Sequence, residues 1–354
     1  MTIDALARPE IRDLHAYETA VPVSGTVRLN ANEAPTCTAR DSLNRYPENP
    51  PTELRSRLAE HYGVSPDNLL ATRGSTEAID LLIRAFCRAG RDNIVITPPT
   101  FVMYRAYADI QGAGTISYPL RPEQDFALDI DALISTCTEA SKLIFVCSPN
   151  NPTGGIVPRS EVVRLLKARE KQSIVIVDEA YIEFSDSDSM ADLVTEHDNL
   201  VVLRTLSKAL ALAGARCGAA ICNSSLIRIL ARVLPPYAIA TPVIDCVLRA
   251  LSDYEAKGET QITETIAERE RMTDLLASND LVRKAWPSQA NFLLVKFRDL
   301  ETVQSRLRAD NILIRDFGDD SELENCARVT IGNHDENNRL LAALRQPEDI
   351  RNVG

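Results

Sequence analysis

The stretch Leu200–Cys222, LVVLRTLSKALALAGARCGAAIC, decides the fold. Its ends, Leu200–Leu203 and Gly218–Cys222, are short apolar runs that read as strands, and a turn carrying Lys208 follows the first of them directly. Runs this uniformly apolar are buried on both faces of a sheet, which indicates parallel βαβ construction and excludes an all-β sandwich. The same pattern recurs upstream. IVIV at Ile174–Val177 leads into DEAYIEF from Asp178, and LIFVC at Leu143–Cys147 leads into SPNNPTGG from Ser148, with a helix expected over Arg159–Glu170 between them. Further out, a strand at Asn93–Thr97 follows an amphipathic helix opened by Ser75-Thr76-Glu77 and stopped at Gly90. An earlier helix over Thr52–His61 has Thr52 as its cap, Pro51 before it and Gly63 after it. The fold class is α/β, with a mostly parallel central sheet flanked by helices.

Downstream, Pro242–Ser278 reads as a long, charged helical run, after which strands return at Asn291–Phe297 and Ala327–Ile331. Helices over Leu300–Ala309 and Asp335–Leu344 would cover them, giving a second, smaller α+β domain. The expected division is an amino-terminal arm over residues 1–30, a large domain over 31–254 and a small carboxyl-terminal domain over 255–354. The length of 354 residues suits about two domains.

Composition narrows the partners. Against 39 Lys plus Arg stand 50 Asp plus Glu, a net charge of −11 that argues against binding a phosphate backbone, so no nucleic acid is expected. Charged residues interrupt every apolar run before it reaches a membrane-spanning length, and MTIDALARPEIRDL has acidic residues and no apolar core, unlike a signal peptide. No membrane association and a cytoplasmic location are therefore expected. The eight cysteines form no C-x-x-C pair, and the four histidines stand far apart without metal-ligand spacing, so buried thiols and no metal are expected.

In a sheet of this kind ligands bind beyond the carboxyl ends of the strands. The post-strand segments from Ser148, Asp178 and Arg204 would all face that cleft, offering an amide, a carboxylate, a phenol, hydroxyls, one lysine and two guanidinium groups. Of the seven lysines only Lys208 follows a buried strand and precedes a small apolar run, where desolvation would lower its pKa and make the amine nucleophilic. A lysine snorkelling from a helix start would look the same. Asp178, at the end of an apolar strand, needs a partner: a pyridinium nitrogen would serve, and so would a helix cap or an arginine. Tyr181 and Asn151 could reach a cofactor's ring hydroxyl, although Asn-Pro-Thr-Gly is also a common turn. Gly74, Ser75 and Thr76 open a helix whose free N–H groups suit a phosphate, with Thr205, Ser207 and Arg216 completing a cradle; ordinary N-capping is the alternative for Ser75 and Thr76.

These segments, together with RLNANEAPT from Arg28, NRYPENPP from Asn44, ATRGSTEAIDLLIRAFC from Ala71, PPTFVMY from Pro98, LIRDF from Leu313 and ARVTIG from Ala327, resemble the fold type I pyridoxal-phosphate-dependent aminotransferases over nearly the whole chain. The resemblance implies pyridoxal 5'-phosphate as cofactor, held covalently by Lys208, which would also move the proton between substrate and cofactor. It implies that Asp178 keeps the pyridine nitrogen protonated, that Asn151 and Tyr181 bond the ring oxygen, and that Phe101 stacks on the ring. Ser75, Thr76, Thr205, Ser207 and Arg216 match phosphate-holding positions. Tyr46 matches a tyrosine that reaches the neighbouring subunit's cofactor, which makes a homodimer with shared sites part of the expectation. Arg328 and Arg315 match the guanidinium groups that hold the substrate's anionic end, with Tyr17 a further candidate from the arm. Phe101 stands where some members carry tyrosine, and Tyr104 could supply the phenol lost there.

Within the family, the implied reaction is transamination of L-histidinol phosphate with 2-oxoglutarate, which runs from imidazole acetol phosphate and glutamate in the direction of histidine biosynthesis. An aromatic amino acid aminotransferase or a threonine-phosphate decarboxylase would keep the same cofactor residues. A nicotinamide-dependent dehydrogenase lacks its G-x-G-x-x-G, and a regulator of this fold would need an added DNA-binding module.

Overall fold

The structure, a computed structural model, describes residues 3–17, 26–37, 43–257, 260–318 and 320–345. In chain order come α1 (Pro9–Arg12), α2 (Thr52–His61), β1 (Leu69–Thr72), α3 (Gly74–Phe86), β2 (Asn93–Ile96), α4 (Met103–Gln111), β3 (Gly114–Ser117) and α5 (Ile130–Thr136). There follow β4 (Ser141–Cys147), α6 (Arg159–Ala168), β5 (Ile174–Asp178), β6 (Leu200–Thr205), β7 (Gly218–Cys222), α7 (Ser224–Val233) and α8 (Thr241–Lys257). The last group is α9 (Thr260–Ala277), β8 (Val282–Ala285), β9 (Phe292–Phe297), α10 (Leu300–Ala309), β10 (Arg315–Asp316), β11 (Cys326–Thr330) and α11 (His334–Ala343).

Seven strands form one sheet in the order β1-β7-β6-β5-β4-β2-β3. From β3 to β6 all pairings are parallel, whereas β7 runs against both β6 and β1. The reason is the short link between β6 and β7, residues 206–217, which holds only a single helical turn (Ala213–Ala215) and no crossover helix, so the chain must turn straight back. Six strands therefore end at one edge, and β7 begins there.

Side chains alternate across the sheet. Ile174, Ile176, Val201 and Leu203 pack with α3, α4 and α7, while Val175, Val177, Leu200 and Val202 pack with α2, α6 and α8. Continuing this parity places Asp178 and Thr205 on the α3/α4 face and sends Arg204 to the other face. Arg204 was expected to offer its guanidinium to the cleft; instead it lies over the Tyr62 ring at 4.6 Å and pairs with Glu183 at 2.8 Å and Glu179 at 3.6 Å. All three partners of this ionic cluster are largely withdrawn from water. Arg204→Leu, which leaves two buried carboxylates uncompensated, is expected to destabilise the fold by about 3–5 kcal/mol. An unchanged denaturant midpoint would contradict that reading of the cluster.

Thr52 does not cap its helix. It is the first helical residue, Pro51 takes the cap position, and the Thr52 hydroxyl donates to Glu48 at 2.9 Å. The Pro242–Ser278 run is two helices, α8 and α9, and the expected boundary at 254/255 falls inside the last turn of α8. Beyond it, β10-β11-β9-β8 make an antiparallel sheet with its own core, including Met272, Leu293, Val295, Val303 and Leu340. The two sheets meet through Tyr181, whose ring stands edge-on to Phe292 at 5.0 Å. No helix among the described residues is long and apolar enough to cross a membrane.

Candidate active site

At the edge where the six strands end, a cavity of about 120 Å³ is lined by Ser75, Thr76, Phe101, Asn151, Asp178, Tyr181, Thr205, Ser207, Lys208 and Arg216, with Cys147 and Ala180. The topology explains the convergence: Cys147, Asp178 and Leu203 lie level across β4, β5 and β6, and Thr72, Gly218 and Thr205 lie level across β1, β7 and β6. Residues far apart in sequence therefore leave the sheet side by side.

One end of the cavity suits an anion. Helix α3 begins at Gly74, and its first turn brings Ser75 and Thr76 with free N–H groups to the cavity wall. Opposite them, the Thr205 and Ser207 hydroxyls are 3.0 Å apart and Arg216 donates to Ser207 at 3.3 Å. Gly218 makes this approach possible. A Cβ there would stand 2.6 Å from the Arg204 carbonyl oxygen and 2.8 Å from the Ser75 nitrogen, so any side chain would push the start of α3 out of place.

The other end holds a buried carboxylate and an amine. Asp178 accepts a hydrogen bond from the Tyr104 hydroxyl at 2.7 Å and from the Ala180 N–H at 3.2 Å. Burial pushes its carboxyl above the usual range, and these two hydrogen bonds and the Lys208 charge work against that. Burial pulls the Lys208 amine below the ordinary lysine range; the Arg328 and Arg216 charges push the same way, and Asp178 opposes them. Lys208 Nζ sits 5.6 Å from the centre of the Tyr181 ring. The Asn151 amide donates to the Tyr181 hydroxyl at 3.3 Å, and burial raises the pKa of that phenol. The Tyr104 phenol, considered from sequence as a substitute at the Phe101 position, is committed to Asp178 instead.

A second chamber, of about 500 Å³, adjoins the first and shares Phe101 and Asn151 with it. Arg315 and Arg328 both line it and stand directly opposite each other in the β10–β11 ladder. Like charges so placed repel, and neither makes an ion pair with a described residue. Arg328 donates to Asn151 Oδ1 at 2.5 Å, which ties the small sheet to the SPNNPTGG turn. That turn also receives the Gln289 N–H at Gly154, where φ is +77° and a Cβ would collide with Ser288.

Three expected residues do not line the two chambers within one chain: Gly74, which starts α3 beside the Arg216 guanidinium, Tyr46 and Tyr17. Tyr46 is half exposed and stacks on Tyr237 with ring centroids 4.6 Å apart; Tyr17 is 65% exposed, and neither lines the two chambers. Sequence reading passed over Glu33, whose buried carboxylate binds Arg28 at 2.6 Å, Arg45 at 2.8 Å and the Tyr46 N–H at 2.8 Å. It also passed over Asn150, which links the two turns by donating to the Pro99 carbonyl and accepting from Thr100, each at 2.9 Å. Acidic and amide side chains in such turns carry no spacing signal of these contacts.

An amine of lowered basicity, a buried carboxylate across the cavity from an anion cradle and a flanking aromatic ring form a donor set that fits a planar phosphorylated pyridine. Comparison with known proteins agrees. The family model for aminotransferase class I and II matches residues 13–344. A histidinol-phosphate aminotransferase of Stenotrophomonas maltophilia (strain R551-3) is 42% identical over 348 residues, covering 96% of each chain. The crystal structure of histidinol-phosphate aminotransferase from Sinorhizobium meliloti in complex with pyridoxal-5'-phosphate superposes with a TM-score of 0.77 at 24% identity, covering 88% of this chain and 84% of that one. L-threonine-O-3-phosphate decarboxylase from Porphyromonas gingivalis shares the fold too, with a TM-score of 0.72 at 24% identity, covering 85% of this chain and 90% of that one. The fold is thus common to both chemistries, whereas full-length identity above 40% singles out one. The chain belongs to the class I and II aminotransferase family, in its histidinol-phosphate aminotransferase branch.

Proposed function

We propose that this protein is a pyridoxal-phosphate-dependent aminotransferase that interconverts L-histidinol phosphate and 2-oxoglutarate with imidazole acetol phosphate and glutamate, a step of histidine biosynthesis. The chemistry rests on the desolvated Lys208 amine facing the buried Asp178 beside the α3 anion cradle. The substrate rests on the full-length similarity to histidinol-phosphate aminotransferases.

When bound, pyridoxal phosphate supplies an aldehyde that reacts with amines and a protonated ring that accepts the electron pair left when a carbon loses its proton. The protein's residues do the rest. Gly74, Ser75, Thr76, Thr205, Ser207 and Arg216 would hold the cofactor's phosphate, Phe101 would pack on its ring, and Asn151 with Tyr181 would hold the ring oxygen. Asp178 would favour a proton on the ring nitrogen by offering a charge that water does not screen. Lys208 Nζ would hold the cofactor, and its lowered basicity in the desolvated cavity suits an amine that takes a proton from one carbon and returns it to another.

Arg328 and Arg315 suit a substrate whose end alternates between a phosphate and a carboxylate, because the guanidinium fork pairs with either and an anion between the two relieves their repulsion. We place the two sites in a homodimer in the cytoplasm. Tyr46, held outward by Glu33 and Tyr237, would then reach the cofactor phosphate and substrate of the neighbouring subunit, with Tyr17 beside it.

The test is an absorption titration of the cofactor-loaded protein. L-histidinol phosphate should convert the bound cofactor to its amine form at a far lower concentration than L-phenylalanine does. A preference for phenylalanine would place the enzyme on the aromatic branch. Release of carbon dioxide from L-threonine phosphate would make it a decarboxylase.

A further inference from the structure

Tyr104 is a fully buried tyrosine on the first turn of α4 that lines neither chamber. Its ring stacks on Phe145 of β4 at 4.5 Å and meets Phe101, a cavity residue, edge-on at 5.6 Å. For that packing a phenylalanine would serve as well. The hydroxyl therefore needs a separate reason, since a buried O–H without a partner is costly. Its partner is Asp178 Oδ2 at 2.7 Å.

We propose that Tyr104 is a positioning residue that acts through Asp178: its phenol fixes the carboxylate in the orientation and charge state that the cofactor's ring nitrogen requires, from a place outside the cavity. The inference rests on the aminotransferase reading above. A carboxylate 3% exposed at the end of β5 has few means of staying ionised. Its hydrogen-bond donors are this phenol and the Ala180 N–H, each on a different oxygen, so together they fix the plane of the group. The phenol does not compete for the same proton, because burial and the adjacent Asp178 hold the Tyr104 hydroxyl protonated well above its usual pKa. In this bond Tyr104 is the donor and Asp178 Oδ2 the acceptor.

The experiment is a double-mutant cycle read by the dissociation constant of pyridoxal phosphate from the holoenzyme, with kcat and KM for histidinol phosphate measured alongside. Tyr104→Phe removes one oxygen and leaves the ring stacking in place, so the variant folds. It should bind pyridoxal phosphate about tenfold more weakly, the scale of one lost hydrogen bond to a charged group, and lower kcat while leaving KM within about twofold. In an Asp178→Asn background the same substitution should change cofactor affinity by less than about twofold, since the charge it serves is gone. Equal losses in the two backgrounds, or no loss in the first, would overturn the proposal. If the wild-type protein itself fails to bind pyridoxal phosphate, the aminotransferase reading fails, which is a separate result.

Discussion

Lys208→Ala lowers transamination by at least about 10⁴-fold and leaves a protein that loses pyridoxal phosphate on dialysis. Two roles meet in one atom. In the proposed function Nζ would be both the point of covalent attachment and the group that moves a proton between carbons, a contribution worth about 10²–10⁴-fold by itself. No neighbour can take over. The next charged nitrogens at the cavity, Arg216 and Arg328, are guanidinium groups that do not give up a proton at working pH. Lys142, Lys167, Lys171, Lys284 and Lys296 lie outside the lining of both chambers. Mixing this variant with an equally inactive Tyr46→Ala subunit should restore part of the activity if the site is shared across a dimer, because one of the two sites in the mixed pair would be intact. Activity of Lys208→Ala within tenfold of wild type would remove the mechanism; absence of recovery in the mixture would remove only the shared site.

Asp178→Asn comes second, with an expected loss of about 10²–10³-fold in kcat, the cost of removing one preorganised electrostatic partner from a water-excluded site. The substitution is close to isosteric, and the asparagine oxygen can still accept from Tyr104. What it lacks is the charge that holds a proton on the ring nitrogen. In the free protein two effects oppose: removing the charge relieves the desolvation cost that raises the Asp178 pKa, while the amide nitrogen replaces the oxygen that accepts from the Ala180 N–H. A cofactor-free Asp178→Asn protein is therefore expected to melt near the wild-type temperature while the loaded enzyme is nearly inactive. A loss of rate below tenfold would mean that the ring nitrogen has another partner.

Both residues were legible in the sequence for the same physical reason. Parallel strands buried on two faces must be apolar along their length, so the first polar residues after IVIV and LVVL mark the edge where side chains can meet a ligand. Cys147 and Asp178 lie level in the sheet, and Lys208 lines the same cavity three residues beyond the end of β6. What the pattern hid was orientation. Arg204 looks like a cleft residue from its place one step before Thr205, and only strand parity sends it through the sheet to Glu179 and Glu183. Strands β1 and β3 escaped notice because they are four residues long at the two margins of the sheet, and β3 is partly wet and alternates little. Tyr104 sits on a helix turn whose spacing promises only core packing; its bond to Asp178 crosses 74 residues and leaves no local trace.

The account stands most directly on which lysine carries the cofactor. Purified holoenzyme treated with borohydride, digested and mapped by mass spectrometry should yield one pyridoxal-labelled peptide, containing Lys208 and flanked by the residues of LVVLRTLSKALALAGAR. Label on any of Lys142, Lys167, Lys171, Lys257, Lys284 or Lys296, with Lys208 unmodified, would contradict it.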